Sequence, residues 1–257
     1  MKTARILPLL TFVALLLGWE ALVHIQNIPA YVLPAPSRIF VALREDWELL
    51  SAALFVTLKI TVLALALATG IGVALAILFA QSTWLERTFF PIAVILQVTP
   101  IIAIAPLLLI YLDAGTAVLA CAFLVAFFPI LSNTALGLSS TDHNLRDLFD
   151  LYGASRWQQM RLLRLPSALP YFLGGLRIAG GLALIGAIAA EIAAGASGQG
   201  AGLAYRILEA GYRLNIPRMF AALVLISVAG IAIWLALEFV STRLLARWHE
   251  STRARSP

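Results

Sequence analysis

Six stretches of this sequence are longer and more apolar than the core of a soluble domain needs, and they decide what the chain can become. They lie at about 6–25, 52–80, 89–112, 116–138, 171–194 and 219–245. Each approaches the ~20 apolar residues with which a helix crosses a hydrocarbon layer ~30 Å thick. The mean hydropathy of +0.94 and the 12% of charged residues agree, since soluble domains carry about 25% charged residues. The expectation is an all-α membrane protein, with residues 1–257 forming a single domain of six transmembrane helices.

The net charge of +5 raises the question of nucleic acid. The charges cluster at the ends of the apolar runs, which excludes that partner and implies a bilayer. Cys121 is the one cysteine and lies inside an apolar run, so no internal disulfide forms and a small core residue is expected. Lys2 and Arg5 precede the first run, as in a signal peptide. No small-x-small cleavage site follows, and Trp19, Glu20 and His24 stand in its place, so the run reads as a transmembrane helix.

Between the first two spans, Pro29, Pro34 and Pro36 keep the chain extended. Ser37 is expected to cap a short amphipathic helix carrying Ile39, Phe40, Leu43 and Trp47. The second span carries a ladder of small residues, Ala64, Ala68, Gly72, Ala76 and Ala80. The fifth carries another, Gly175, Ala179, Ala183 and Ala187. Such ladders let transmembrane helices approach closely. Lys59 reads as a cation snorkelling to the interface, with substrate contact as the alternative.

In the third span Pro100 and Pro106 must interrupt the helical hydrogen bonds. Gln97 and Thr99 sit just before the break. Non-helical backbone at membrane depth lines a cavity or packs on protein, and both readings stand here. Glu191 is an acid in the apolar fifth span, about 21 Å from Arg177 at 1.5 Å per residue. It is expected to hydrogen-bond a neighbouring helix near the outer face.

One long polar stretch interrupts this pattern, Ser139–Pro170. Asp142 and Asn144 can cap a first helix whose apolar residues Leu145, Leu148, Phe149 and Tyr152 keep helical spacing. Gly153 ends it where φ > 0 is required. Ser155 with Gln158 forms a capping-box pattern that restarts a helix. That second helix carries Trp157, Met160, Leu162 and Leu163 beside Arg156, Arg161 and Arg164, and Pro166 and Pro170 are expected to stop it. A basic, amphipathic, glycine-hinged elbow on a membrane domain is suited to being held by another protein.

The pattern Asp147-x5-Gly153-x9-Leu163-x-Leu165-Pro166 resembles the EAA loop of ABC importer permeases, E-A-A-x3-G-x9-I-x-L-P. Asp147-Leu148-Phe149 replaces E-A-A, and Leu163 replaces the isoleucine. Leu33-Pro34-Ala35-Pro36-Ser37, and the stretch from Phe127-Phe128-Pro129 through Asn133 to Gly137, are similar to the nitrate, sulfonate and taurine branch. The aromatic-glycine step usual in the family is replaced by Tyr111-Leu112-Asp113-Ala114-Gly115.

The resemblance implies the fold of a type I importer permease, with six spans and a cytoplasmic helix-turn-helix coupling loop at 139–170. It implies a homodimer, two cytoplasmic ABC ATPase subunits and an extracytoplasmic substrate-binding protein. The ATPase-coupling residues would be Asp147, Gly153, Ala154, Ser155, Arg156, Trp157, Leu165 and Pro166. The pathway or gate candidates are Gln97, Thr99, Pro100, Asn133 and Glu191. The cargo would be a small solute such as nitrate, a sulfonate or taurine, with bicarbonate and thiamine or pyrimidine precursors also open.

The chain has no cofactor site of its own. Its two lysines, Lys2 and Lys59, follow no glycine-rich phosphate loop, so ATP must be hydrolysed on a partner. Gly195-Ala196-Ser197-Gly198 matches the G-x-S-G of intramembrane serine proteases. Its serine lacks a base, because His24, His143 and His249 fall in loops, helix ends or the tail. No His, Cys or carboxylate cluster has metal-ligand spacing. An ion-coupled carrier would place charge at the midplane, and Glu191 lies too near an interface. Eleven loop cations, including Arg87, Arg146, Arg156, Arg161 and Arg164, share one side with both termini, against five on the other. The positive-inside rule then puts the termini and the elbow in the cytoplasm, and the resemblance implies that the membrane is a bacterial inner membrane.

Overall fold

A computed structural model describes residues 2–195 and 201–246, apart from the side chains of 2–6 and 9. Among the described residues there is no strand. The helices are α1 (Lys2–Ile25), α2 (Pro36–Glu45), α3 (Trp47–Gln81), α4 (Thr83–Val98), α5 (Ile101–Tyr111), α6 (Ala114–Ser139), α7 (His143–Leu151), α8 (Arg156–Gln159), α9 (Leu165–Ala194), α10 (Leu203–Tyr212) and α11 (Ile216–Leu245). A π-helical turn, Met160–Arg164, joins α8 to α9. By length and composition α3, α6, the continuous stretch Arg156–Ala194 and α11 can each cross a membrane. The α4–α5 pair passes the same test as one bent span. The apolar part of α1, Leu10–Ile25, is shorter. Among the described residues, four or five spans thus meet the test of length and composition, against the six expected.

The chain divides into two compact units. The smaller comprises Met1–Val56 and Gly195–Val228. Its core is built from Ile39, Ala42, Leu50, Ala53, Leu203, Ala221, Ala222 and Leu225, with Trp19 packed on Phe220. Ser37 does not cap α2 as expected. Ala35 is the cap and Pro36 takes the first turn, where its missing N–H costs nothing. The Glu20 carboxylate of α1 accepts instead from the Ser37 N–H at 3.0 Å and from its Oγ at 2.6 Å, so a neighbouring helix caps α2.

Helix α3 starts at Trp47 rather than near Ala52, with only Asp46 between it and α2. Asp46 holds this corner through a bidentate pair with Arg218, at 2.6 Å to Nε and 2.5 Å to Nη2. On α10, Glu209 is bracketed by Arg206 at 2.7 Å and Arg213 at 2.9 Å. The hydrogen bond from Arg206 holds its carboxyl below the usual glutamate range.

The larger unit comprises Thr57–Ala194 and Ala229–Pro257. Helices α6 and α9 cross at its centre, and glycines set their separation. A Cβ on Gly175 would lie 2.7 Å from the Pro129 carbonyl oxygen and 2.8 Å from the Asn133 Cβ. A Cβ on Gly137 would lie 2.8 Å from the Ala168 Cα. The two ladders pack as their spacing implies: Ala64, Ala68, Ala76, Ala179, Ala183 and Ala187 are all fully buried. Cys121 is buried in the same core.

Three prolines behave differently from expectation. Pro106 lies inside α5 without breaking it. Pro166 and Pro170 do not stop the second elbow helix, which runs on into α9 as one stretch to Ala194. The π-helical turn explains the passage through Pro166. There the Leu165 N–H reaches back five residues to the Met160 carbonyl, and this widening gives room just ahead of the Pro166 ring. The Ser167 hydroxyl also donates to the Leu163 carbonyl at 2.8 Å.

Candidate functional site

The elbow is built from local hydrogen bonds. The Asp142 carboxylate accepts from the Asn144 N–H at 2.8 Å and starts α7. At the other end Gly153 has φ of +67°. Its N–H donates to the Asp150 carbonyl at 3.0 Å, and the Ala154 N–H to the Phe149 carbonyl at 2.9 Å. That pair of bonds is a Schellman motif, which closes the carbonyls a helix leaves open. Nothing lies within 4 Å of where a Gly153 Cβ would be, so the demand for glycine is conformational and not steric.

The next helix begins two residues later with a complete capping box. The Ser155 N–H donates to Gln158 Oε1 at 2.7 Å, and the Gln158 N–H to Ser155 Oγ at 3.3 Å. Gln159 Nε2 reaches back to Asp150 at 2.6 Å and ties the two arms together.

What this turn presents is apolar. Leu151 and Tyr152 are each 84% exposed, and Trp157 is 65% exposed. Leu145, Leu148 and Leu162 are exposed beside them, and Asp147 and Arg156 stand among them. Ala154, Leu165 and Pro166 are half-buried and belong to the support of the turn. Buried Met160 and Leu163 anchor the second arm. The Arg164 Nη1 donates to the Ala80 carbonyl at 3.0 Å, which fixes that arm to the C-terminal end of α3.

The second cluster lies at the broken span. Helices α4 and α5 meet at Thr99–Pro100 with a bend of 99°. This is close to a right-angle turn, far sharper than a proline kink. Pro100 caps α5, while the Thr99 hydroxyl turns back to the Ile95 carbonyl at 2.7 Å. Gln97 and Pro100 are exposed and Thr99 is half-buried.

After the break, Ile101, Ala105 and Leu108 of α5 pack with Ala187, Ala190 and Ala193 of α9. The same face region holds Glu191, which is only 4% exposed. Its Oε1 accepts from the Thr57 hydroxyl of α3 at 2.8 Å. Helix α5, which follows the break, thus packs on the part of α9 that carries Glu191. Asn133 is not part of this contact. It lies at the α6–α9 crossing, where Nδ2 donates to the Pro129 carbonyl at 2.8 Å.

Several groups escaped the reading of the sequence. Glu238 on α11 is a second acid within the apolar spans. It pairs with Arg177 at 2.9 Å, and Arg177 also donates to Ser241 at 3.1 Å. Its signal was present, an acid in an apolar run, but its partner lies far along the chain. Lys59 is exposed on α3. The rival protease reading gains no geometry: Ser197 and His249 lie outside the described residues, His24 bonds Glu20 at 2.9 Å, and His143 opens α7. Arg247, Arg253 and Arg255 also lie outside the described residues.

Comparison with known proteins decides the class. Residues 66–250 match the family of binding-protein-dependent transport system inner membrane components. The chain belongs to that family. It is 34% identical to the riboflavin transport system permease protein RibX of Chloroflexus aurantiacus, over 94% of this chain and 89% of that one. It is also 34% identical to the formylaminopyrimidine transport permease protein ThiX of Halalkalibacterium halodurans, over 93% and 94%. Similarity to the putative aliphatic sulfonates permease SsuC of Bacillus subtilis is 29%, over 91% and 84%.

The crystal structure of an amino acid ABC transporter with histidines shares the fold. The TM-score is 0.65 at 18% identity, covering 81% of this chain and 98% of that one. This integral membrane protein is thus the permease subunit of a binding-protein-dependent ABC importer and not an enzyme. Its family implies an ATPase and a substrate-binding protein as partners.

Proposed function

We propose that this subunit forms the translocation pathway of an importer in the bacterial inner membrane, and that its elbow is the element gripped by a separate cytoplasmic ATPase. The observation that carries the coupling reading is the turn at Gly153–Ser155. Two independent caps fix it, yet it leaves Leu151, Tyr152 and Trp157 open. A rigid turn with uncovered aromatic and aliphatic side chains is the form of an interface core, and Asp147 and Arg156 supply its polar edge. Residues 1–257 act as one permease domain. The six spans are α1, α3, the α4–α5 pair, α6, the stretch 156–194 and α11, with both termini and the elbow in the cytoplasm. The split of loop cations supports that orientation. Six spans make only part of a wall around a pathway, so two copies assemble.

Within the pathway, Gln97, Thr99 and Pro100 at the break and Glu191 beside α5 are the gate candidates, with Asn133 holding the crossing behind them. The motifs resemble the nitrate, sulfonate and taurine branch, which supports a small solute as cargo without choosing it. Relatives named for riboflavin and formylaminopyrimidine align over more of their length than the nitrate permeases do. A vitamin or vitamin-precursor heterocycle is therefore the first cargo to assay. Uptake into proteoliposomes holding the permease, its ATPase and its binding protein tests this. ATP-dependent uptake of labelled riboflavin or formylaminopyrimidine is expected, and uptake of a sulfonate or nitrate alone would reverse the choice.

A further inference from the structure

Two cavities of the larger unit meet at Phe79, near the C-terminal end of α3. The first is an apolar groove of about 270 Å³ walled by Leu75, Leu78, Leu85, Phe89, Ile92 and Leu96. The second, of about 220 Å³, is polar and holds Arg146 and Arg164 with Thr83, Ser139 and one acid, Glu86. Arg164 is already fixed on the Ala80 carbonyl at 3.0 Å. The Arg146 Nε is buried and, like those of Arg177 and Arg206, makes no hydrogen bond within the chain; here it borders an open polar pocket, where water, an ion or a ligand can meet it. Among the residues lining the pocket, Arg146 and Arg164 face the single acid Glu86, so cations outnumber anions there. From Leu85 to Leu96 the groove follows α4 for about 16 Å at 1.5 Å per residue. That length is roughly one leaflet of a hydrocarbon layer ~30 Å thick. Phe89, Ile92 and Leu96 remain 44%, 49% and 41% exposed along it.

The geometry points to a seat for one anionic phospholipid, its phosphodiester held by Arg146 and Arg164 and one acyl chain lying along the groove to Leu96. A free phosphate would fill the polar pocket and leave the groove open. A second copy of the chain would cover the groove and leave the Arg146 N–H unmet. A lipid accounts for both cavities and for their junction. The inference rests on these helices being membrane spans, but not on the ATPase coupling.

The test is native mass spectrometry of the detergent-purified protein with equimolar phosphatidylglycerol and phosphatidylethanolamine of identical chains. Phosphatidylglycerol should be retained preferentially. Arg146→Gln should cut that preference about fivefold, the effect of one arginine at an anionic surface. Ala93→Phe, on the groove wall, should weaken binding of both lipids and keep the headgroup preference. Equal retention of the two lipids by the wild type overturns the proposal, as does a preference unchanged in Arg146→Gln. Binding of inorganic phosphate at millimolar concentration with no lipid retained identifies a bare anion pocket and also overturns it. A disulfide forming between copies through Leu96→Cys, with no lipid retained, assigns the groove to the dimer instead. None of these readouts uses ATP or uptake, so a wrong coupling element leaves them unchanged, and a missing lipid leaves the coupling reading standing.

Discussion

Glu191 illustrates what a single residue does in an apolar span. A carboxylate away from water is costly unless it is hydrogen-bonded, and the Thr57 hydroxyl at 2.8 Å meets one of its oxygens. Glutamine keeps an oxygen in the same place and leucine does not. Glu191→Gln is therefore expected to assemble and to retain much of the transport. Glu191→Leu removes a buried acceptor and should cost about 1–3 kcal/mol. Paired thermal unfolding and uptake measurements separate these outcomes, and wild-type stability of Glu191→Leu would show that the hydrogen bond contributes little. That an acid here needs a partner was legible from its apolar surroundings. Which residue supplies the bond was not, because Thr57 lies 134 positions earlier.

At the scale of the element, features set by neighbours in sequence were readable and those set by distant groups were not. The Gly153 turn, the Ser155–Gln158 capping box, α10 and the two small-residue ladders all depend on residues a few positions apart. The start of α3 depends on an Asp46–Arg218 pair separated by 172 residues, and the anchoring of the elbow on an Arg164–Ala80 bond separated by 84. Prolines misled for a related reason. A proline N–H is always missing, but whether the helix stops depends on what the surrounding backbone does. At Pro100 the chain turns by 99°, and at Pro166 a π-helical turn carries it through.

The α6–α9 crossing gives a prediction at this scale. Gly175→Leu places carbon against the Pro129 carbonyl and the Asn133 Cβ, both within 3 Å. Overpacking of this kind costs about 1–3 kcal/mol, so thermal stability in detergent should fall. Gly174→Leu, where nothing lies within 4 Å of the added Cβ, should not lower it. An equal loss in both would mean that the two helices are not held at this separation.

For the whole molecule, the class was legible because the apolar runs and the elbow register are both continuous in the sequence, whereas the six-span count depends on how α1 and the bent pair sit in a bilayer. Reporter fusions address that count: cytoplasmic signals are expected after Ser140, and external signals after Asp46 and Asn215. A fusion at Ser140 that reports the outside inverts the arrangement. The central claim, that the elbow transmits ATP hydrolysis to the spans, is tested most directly by Gly153→Val. The backbone there sits at φ of +67°, where a β-branched residue is strained by about 1–3 kcal/mol. The apolar spans are untouched, so the protein should reach the membrane at its normal level. Measured together, ATPase co-purification should weaken and uptake should be lost, while Gly153→Asn, which tolerates that φ, should keep both. A Gly153→Val variant that still holds the ATPase and still transports would contradict the account.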